Sequence, residues 1–203
     1  MNKQQTIYIV DDEEPVRRAL TLLAKADGLQ SKSYSSALAF LDEIDKVGPG
    51  CLLLDVCMPE MTGPELQEEL KNRGCLLPVI IITGHGDVPV AVRAMQDGAQ
   101  DFIEKPFDSE DLMDRVHKCL SNAAKKDELE QQKLESGKLL AQLTPREYQI
   151  MELLVAGRRN KEIARELFIS FRTVELHRAK IMEKLNAKSL SDVVRLAMLH
   201  TMA

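Results

Sequence analysis

Thr6-Ile7-Tyr8-Ile9-Val10-Asp11-Asp12 and Cys51-Leu52-Leu53-Leu54-Asp55 share one pattern, a short apolar run that breaks directly onto acid. Each run has strand length and is too short for a helix that must bury one face. Similar runs lie at Val79 to Thr83 and, ending next to Lys105, at Asp101 to Glu104; a weaker one spans Gln30 to Tyr34. Helical spacing fills the intervals. Val16, Ala19, Leu20, Leu22 and Leu23 suggest one face, Leu38, Phe40, Leu41 and Ile44 a second, and Leu66 and Leu70 a third. A fourth helix is expected from about Val88 to Met95 and a fifth from Ser109 past Val116. Parallel neighbours need crossover helices, so this alternation predicts an α/β architecture, an open parallel sheet of five strands covered on both faces.

The rest of the chain reads differently. Residues 1–120 hold 12 Lys and Arg against 21 Asp and Glu, a balance of -9, whereas residues 121–203 carry +4, within a total of -5 over 203 residues. Such asymmetry joins an acidic half to one able to meet a polyanion. The 44% hydrophobic and 29% charged composition is that of a globular chain. The longest apolar stretch, Leu76 to Ile82, contains Pro78 and falls far short of the ~20 residues of a membrane span. Four acids, Asp11 to Glu14, follow Ile7 to Val10, which is no secretory core, so a cytoplasmic location without membrane association is expected. Cys51, Cys57, Cys75 and Cys119 form no C-x-x-C pair, and His85, His117, His177 and His200 form no H-x-x-x-H. Structural zinc and thiol exchange therefore have no support. Trp is absent and aromatics are 4%, which disfavours stacking on single-stranded nucleic acid.

In an open α/β sheet, ligands bind beyond the carboxyl ends of the strands. Those ends bring Asp11, Asp12, Asp55, Thr83 and Lys105 to one rim. Three carboxylates beside an ammonium suit Mg²⁺, and an aspartate in that setting can act as nucleophile on a phosphoryl group. Gly84-His85-Gly86 lacks the third glycine of a dinucleotide loop, and no G-x-x-x-x-G-K-[ST] is present.

Asp55-Val56-Cys57-Met58-Pro59-Glu60-Met61-Thr62-Gly63, with Asp11-Asp12, Thr83-Gly84 and Lys105-Pro106, resembles the receiver domain of two-component response regulators. The resemblance implies a flavodoxin-like sheet of order 2-1-3-4-5 over residues 4–120, with Asp55 as phosphoacceptor. It also implies Mg²⁺ held by Asp12, Asp55 and the backbone carbonyl of Cys57, with Asp11 acting through water. Thr83 and Lys105 would bind phosphoryl oxygens, Thr83 and Phe102 would move together as a switch, and Lys105-Pro106 would be cis. Cys57 and His85 would border the path of hydrolytic water. Dimerisation is expected on the face of the fourth helix and fifth strand, with Val90, Arg93, Asp97 and Asp101 as candidates.

Residues 121–141 are rich in Lys, Glu and Gln, and Leu129, Leu134 and Leu139 recur every five residues, which fits no coiled-coil period. A solvated, partly helical linker is expected, with a short coiled coil as the alternative. Thr144, Pro145 and Glu147 then make a capping box that opens a helical module over residues 142–203, with later helices from Asn160, Ser170 and Ser189, each a candidate cap. Two short helices joined by Phe168-Ile169-Ser170 have the layout of a helix-turn-helix, whose second helix reads the major groove.

Leu143-Thr144-Pro145-Arg146-Glu147, Asn160-Lys161-Glu162-Ile163-Ala164 and Arg172-Thr173-Val174-Glu175-x-His177-Arg178 resemble the LuxR-type effector domain, and the receiver loops resemble the FixJ-like branch. That resemblance implies an all-α four-helix domain. Lys161, Thr173, His177, Arg178 and Lys180 would meet phosphates, while Arg172, Glu175, Leu176 and Ala179 would face bases. Glu175 would either accept from a cytosine amino group or pair with a neighbouring Arg. The chain is thus expected to be a response regulator and transcription factor, not an enzyme beyond Mg²⁺-assisted self-phosphorylation and slow self-dephosphorylation. A sensor histidine kinase, promoter DNA, a second copy of the phosphorylated chain and RNA polymerase are the expected partners. The alternatives are an aspartyl-phosphate phosphatase-like enzyme, against which Cys57 stands where a second acid is needed, and a receiver that acts only by protein docking.

Overall fold

The structure, a computed structural model, describes residues 5–84 and 88–201, apart from the side chains of Val88, Pro89, Ala91 and Thr201. It divides into two compact units, Met1–Lys125 and Lys126–Ala203. In the first, β1 (Thr6–Val10), β2 (Gln30–Tyr34), β3 (Gly50–Asp55), β4 (Val79–Thr83) and β5 (Asp101–Glu104) form a parallel sheet of order β2-β1-β3-β4-β5. The helices are α1 (Glu14–Ala26), α2 (Ala37–Leu41), α3 (Gly63–Asn72), α4 (Val88–Gln96) and α5 (Ser109–Leu140).

Period-two alternation splits the core into two layers. Ile7 and Ile9 of β1, Cys51 and Leu53 of β3, and Ile80 and Ile82 of β4 pack with Leu20 and Ala24 of α1 and Leu112 and Val116 of α5. Tyr8 and Val10, Leu52 and Leu54, and Val79 and Ile81 face Phe40 of α2, Leu66 and Leu70 of α3 and Ala94 of α4. Each such large side chain contributes about 1.5–3 kcal/mol by leaving water. Strands buried on both faces explain why β3 and β4 read as unbroken apolar runs. Strand β2 lies at the sheet edge with Gln30, Lys32 and Ser33 exposed, which accounts for its weak signal.

The face expected for α1 needs correction. Leu22 is 66% exposed and Ala19 is also exposed, whereas Ala24 is buried. The helix presents Val16, Leu20, Leu23 and Ala24 to the sheet, an i, i+4 stripe that Leu22 cannot join. Helix α2 stops at Leu41, and Ile44 belongs to a separate 3-10 turn, Ile44–Lys46. Residues 121–140, expected to be partly helical, are helical throughout. Gln131 donates to Glu135 at 2.8 Å and Gln132 to Glu128 at 3.4 Å, so this solvated stretch is laced by i, i+4 side-chain pairs.

The second unit contains α6 (Pro145–Val155), α7 (Asn160–Glu166), α8 (Phe171–Lys184) and α9 (Leu190–Thr201). Ile150 and Leu154, Ile163, Val174 and Ile181, and Val193 build its core. Thr144 caps α6 in a capping box with Glu147. Ser170 Oγ accepts from Thr173 N at 3.0 Å, and Ser189 and Asp192 cap α9 reciprocally. Asn160 is not a cap: it is the first residue of α7, and Glu162 accepts from the Arg159 amide instead.

Candidate functional site

The parallel register sets the tips of β1, β3, β4 and β5 in that order along one rim of the sheet. Val10 stands beside Leu54, and Asp55 follows in β3 beside Ile82, whose carbonyl accepts from Val56 N. Lys105 leaves β5 with its amide donating to Thr83 O at 2.8 Å. That topology carries the Lys105 ammonium back across the rim, where Nζ lies 2.8 Å from Asp55 Oδ1 and 2.9 Å from Asp11 Oδ2. Glu13 Oε1 completes the acidic surround at 3.3 Å.

The remaining carboxylate oxygens are held by backbone. Asp55 Oδ2 accepts from Cys57 N and Asp11 Oδ1 from Glu13 N, both at 2.8 Å. Arg17 donates to the carbonyls of Asp11 and Asp12 at 2.8 Å, fixing the chain where it leaves β1. Asp11 and Asp55 have side chains only 1% and 8% exposed. Burial raises the Asp55 pKa above its ordinary value, and the Lys105 hydrogen bond pulls against that rise. Lys105 is held above its usual range because its hydrogen bonds to Asp55 and Asp11 outweigh its own burial.

The loop after β3 is shaped for close approach. Glu60 takes a left-handed φ of 66°, Thr62 and Glu65 form a capping box at the start of α3, and Gly63 N donates to Val56 O at 3.0 Å. A Cβ on Gly63 would lie 2.3 Å from the Asp55 carbonyl oxygen, so only glycine lets α3 start this near the phosphoacceptor candidate.

Asp11, Asp55 and Lys105 are therefore brought together. Asp12 is exposed, and among the described residues no three His, Cys, Asp or Glu side chains stand as a metal-holding group. Mg²⁺ keeps several waters and takes one or two carboxylates with substrate phosphate, so the hard oxygens of this rim fit it. Thr83 is fully buried, its hydroxyl donating to Gly84 O at 3.3 Å. Phe102 is half-buried against the core, and Lys105-Pro106 is cis. His85 lies outside the described residues. On the α4 and β5 face, Arg93 and Asp97 are exposed and Val90 is partly so, while Asp101 is held by Arg115 at 2.9 Å.

In the second unit Val174, Ile181 and Leu185 turn one side of α8 inward. Arg172, Glu175, Leu176, Ala179 and Lys180 are exposed on the other, and Lys161 is exposed on α7. Thr173, His177 and Arg178 are half-buried at the margin. The Arg178 guanidinium donates to Asn160 Oδ1 at 2.6 Å, tying α8 to α7, and among the described residues Glu175 has no ion-pair partner. At the far end Lys184 Nζ lies 2.6 Å from Glu147 Oε2 and donates to Gln142 O at 3.1 Å. These two clamps set the angle of α8, a rigidity that sequence spacing alone did not reveal.

Residues 7–117 match the response regulator receiver domain family, and residues 141–197 match the bacterial regulatory proteins of the luxR family. The chain is 44% identical to the transcriptional regulatory protein FixJ of Azorhizobium caulinodans, over 98% of this chain and 94% of that one. It is 43% identical to the response regulator protein TmoT of Ectopseudomonas mendocina, over 96% and 89%. Among solved structures, the response regulator StyR superposes with a TM-score of 0.83 at 38% identity, covering 97% and 99%. Full-length FixJ from B. japonicum gives 0.64 at 41% identity over the whole of both chains. No helix among the described residues is long and apolar enough to cross a membrane. A five-stranded sheet with its acids and lysine at one rim, followed by a helix-turn-helix, thus belongs to a FixJ-like two-component response regulator, with a receiver domain and a LuxR-type DNA-binding domain.

Proposed function

We propose that Asp55 accepts a phosphoryl group from a sensor histidine kinase and that this mark promotes dimerisation and binding to promoter DNA. The observation that carries the reading is the Asp55 carboxylate, nearly buried at the tip of β3, with Lys105 Nζ at 2.8 Å. One Asp55 oxygen forms the new P–O bond as the P–N bond of the donor phosphohistidine breaks, the electron pair leaving with the imidazole. Lys105 takes up charge on the phosphoryl oxygens, exchanging part of its contact with Asp11 for them, and the Thr83 hydroxyl donates to another. Asp12, Asp55 and the Cys57 carbonyl would hold Mg²⁺, with Asp11 acting through water. When bound, the ion supplies positive charge that offsets repulsion between carboxylate and phosphoryl group.

Thr83 and Phe102 form the two-state element, and the α4 and β5 face with Arg93 and Asp97 forms the dimer surface. Two paired effector domains would space their α8 helices about one DNA turn apart, ~34 Å. Lys161, Thr173, His177, Arg178 and Lys180 contact phosphates, and Arg172, Glu175, Leu176 and Ala179 face bases, Glu175 toward a cytosine amino group. RNA polymerase is the downstream partner, the setting is cytoplasmic, and the chain turns over no separate substrate. Labelling with a small acyl phosphate tests the core of this reading. Wild type should take up one phosphoryl group in Mg²⁺ and none in EDTA, and Asp55→Asn none in either; stoichiometric label on Asp55→Asn would overturn it.

A further inference from the structure

Phe168 is 95% exposed and sits in the turn between α7 and α8 with a φ of 51°. Nothing in the fold calls for an aromatic residue there. The left-handed region suits Gly or Asn, and a bulky side chain in it is strained. A Phe that buries so little returns almost none of the stabilisation its ring could give. Strain combined with an unburied ring points to an intermolecular contact. Phe171, the first residue of α8, is 44% exposed, and Leu176, on the side of α8 away from its core stripe, is 59% exposed. Phe168 precedes and Phe171 begins α8, in sequence next to the exposed Arg172 and the half-buried Thr173, while Leu176 lies further along the helix.

We infer that Phe168 and Phe171 form an apolar reading surface that packs on thymine C5-methyl groups in the major groove, next to the polar contacts made by α8. The inference rests on the DNA-binding reading and deepens it. Its physical basis is continuity with that helix, because the end of a recognition helix that meets base edges is its N-terminal one. A thymine methyl is the apolar feature that a base pair displays in the major groove, and Phe is among the side chains that contact it. The operator should therefore carry thymine beside the bases read by Arg172 and Glu175. The contact adds sequence preference without adding to the salt dependence that phosphate contacts create.

The test uses the full chain, treated with acyl phosphate, and a duplex it selects from a random pool. In a second duplex every thymine of the selected site is replaced by uracil, which removes only the methyl groups. Wild type should bind the uracil duplex about fourfold more weakly for each methyl buried. Phe168→Gly and Phe171→Ala should lose affinity for the thymine duplex, show a reduced penalty for uracil, and keep the wild-type salt slope. Phe168→Gly relieves the left-handed strain, so its urea midpoint should stay at or above that of wild type. Equal wild-type affinity for the two duplexes, or variants that keep the full uracil penalty, would overturn the inference while leaving DNA binding intact. Failure of wild type to select any duplex would overturn the DNA-binding reading itself, and this inference with it.

Discussion

Lys105→Met removes the single ammonium that stands between two buried carboxylates. Its Nζ is 2.8 Å from Asp55 and 2.9 Å from Asp11, both nearly inaccessible to water, while the lysine itself is 20% exposed. Breaking a buried ion pair by deleting one partner costs ~3–5 kcal/mol, because the other charge stays buried. Water reaches the lysine, so the lower end applies, about 3 kcal/mol at pH 8. The pH dependence carries a sign. The Asp55 pKa is already raised above its ordinary 3.8 by burial, and without Lys105 it loses its main downward pull. An acid whose folded pKa exceeds its unfolded value weighs against folding above the folded pKa, and the penalty fades as pH falls towards the unfolded one. The deficit should therefore be largest at pH 8 and distinctly smaller near pH 4, close to the ordinary value of 3.8. Amide hydrogen exchange of Ile9 and Leu53, in strands buried at the centre of the sheet, reads the opening of this unit separately from the helical one. Combining Lys105→Met with Asp55→Asn should recover part of the loss, since the two groups share one interaction. A deficit below about 1 kcal/mol, or one equal at both pH values, would mean that Lys105 does not hold the buried Asp55 charge.

Other substitutions probe further contacts. Glu147→Gln should destabilise the second unit by ~2 kcal/mol, through loss of the Lys184 pair and part of the capping box, read by urea unfolding of residues 126–203. In the wild type, the Lys184 and Thr144 hydrogen bonds lower the Glu147 pKa from 4.5 to about 2, so the associated stability is present above pH 4.5 and lost as pH falls through 2. Gly63→Ala places a methyl group 2.3 Å from the Asp55 carbonyl oxygen; phosphorylation should slow and the midpoint of unit 1 fall, and an unchanged rate would contradict the close approach. Lys180→Ala should lower the salt slope of DNA binding by about one unit without changing the selected site, whereas Arg172→Ala should cost ~1–3 kcal/mol and relax one base position.

The strands were legible in the sequence because burial on both faces leaves apolar runs that end where water begins, and the functional acids start there. Helix faces were less legible where apolar residues outnumber buried positions: Leu22 fits a hydrophobic pattern yet points outward. The full length of helix α5 is not legible because Leu129 and Leu134 follow no helical period, while the pairs that line the helix, such as Gln131 with Glu135, are polar and silent in a hydrophobic pattern. At the site, spacing placed Asp11, Asp55 and Lys105 on one rim. It could not show that Lys105 bridges two carboxylates, or that Arg178 is tied to Asn160, because both contacts join residues from different elements. In the sequence Phe168 marks only a turn, since exposure and a positive φ are properties of the folded chain.

On the proposed function, a mark on Asp55 changes how the second domain engages DNA. Affinity for the selected duplex, measured for wild type and Asp55→Asn before and after acyl phosphate in Mg²⁺, tests it most directly. Wild type should gain about tenfold or more on treatment, the scale that ~1.4 kcal/mol of coupling supports, and Asp55→Asn should gain nothing. Equal affinity of treated and untreated wild type, or an equal gain by Asp55→Asn, would mean that Asp55 does not control DNA binding.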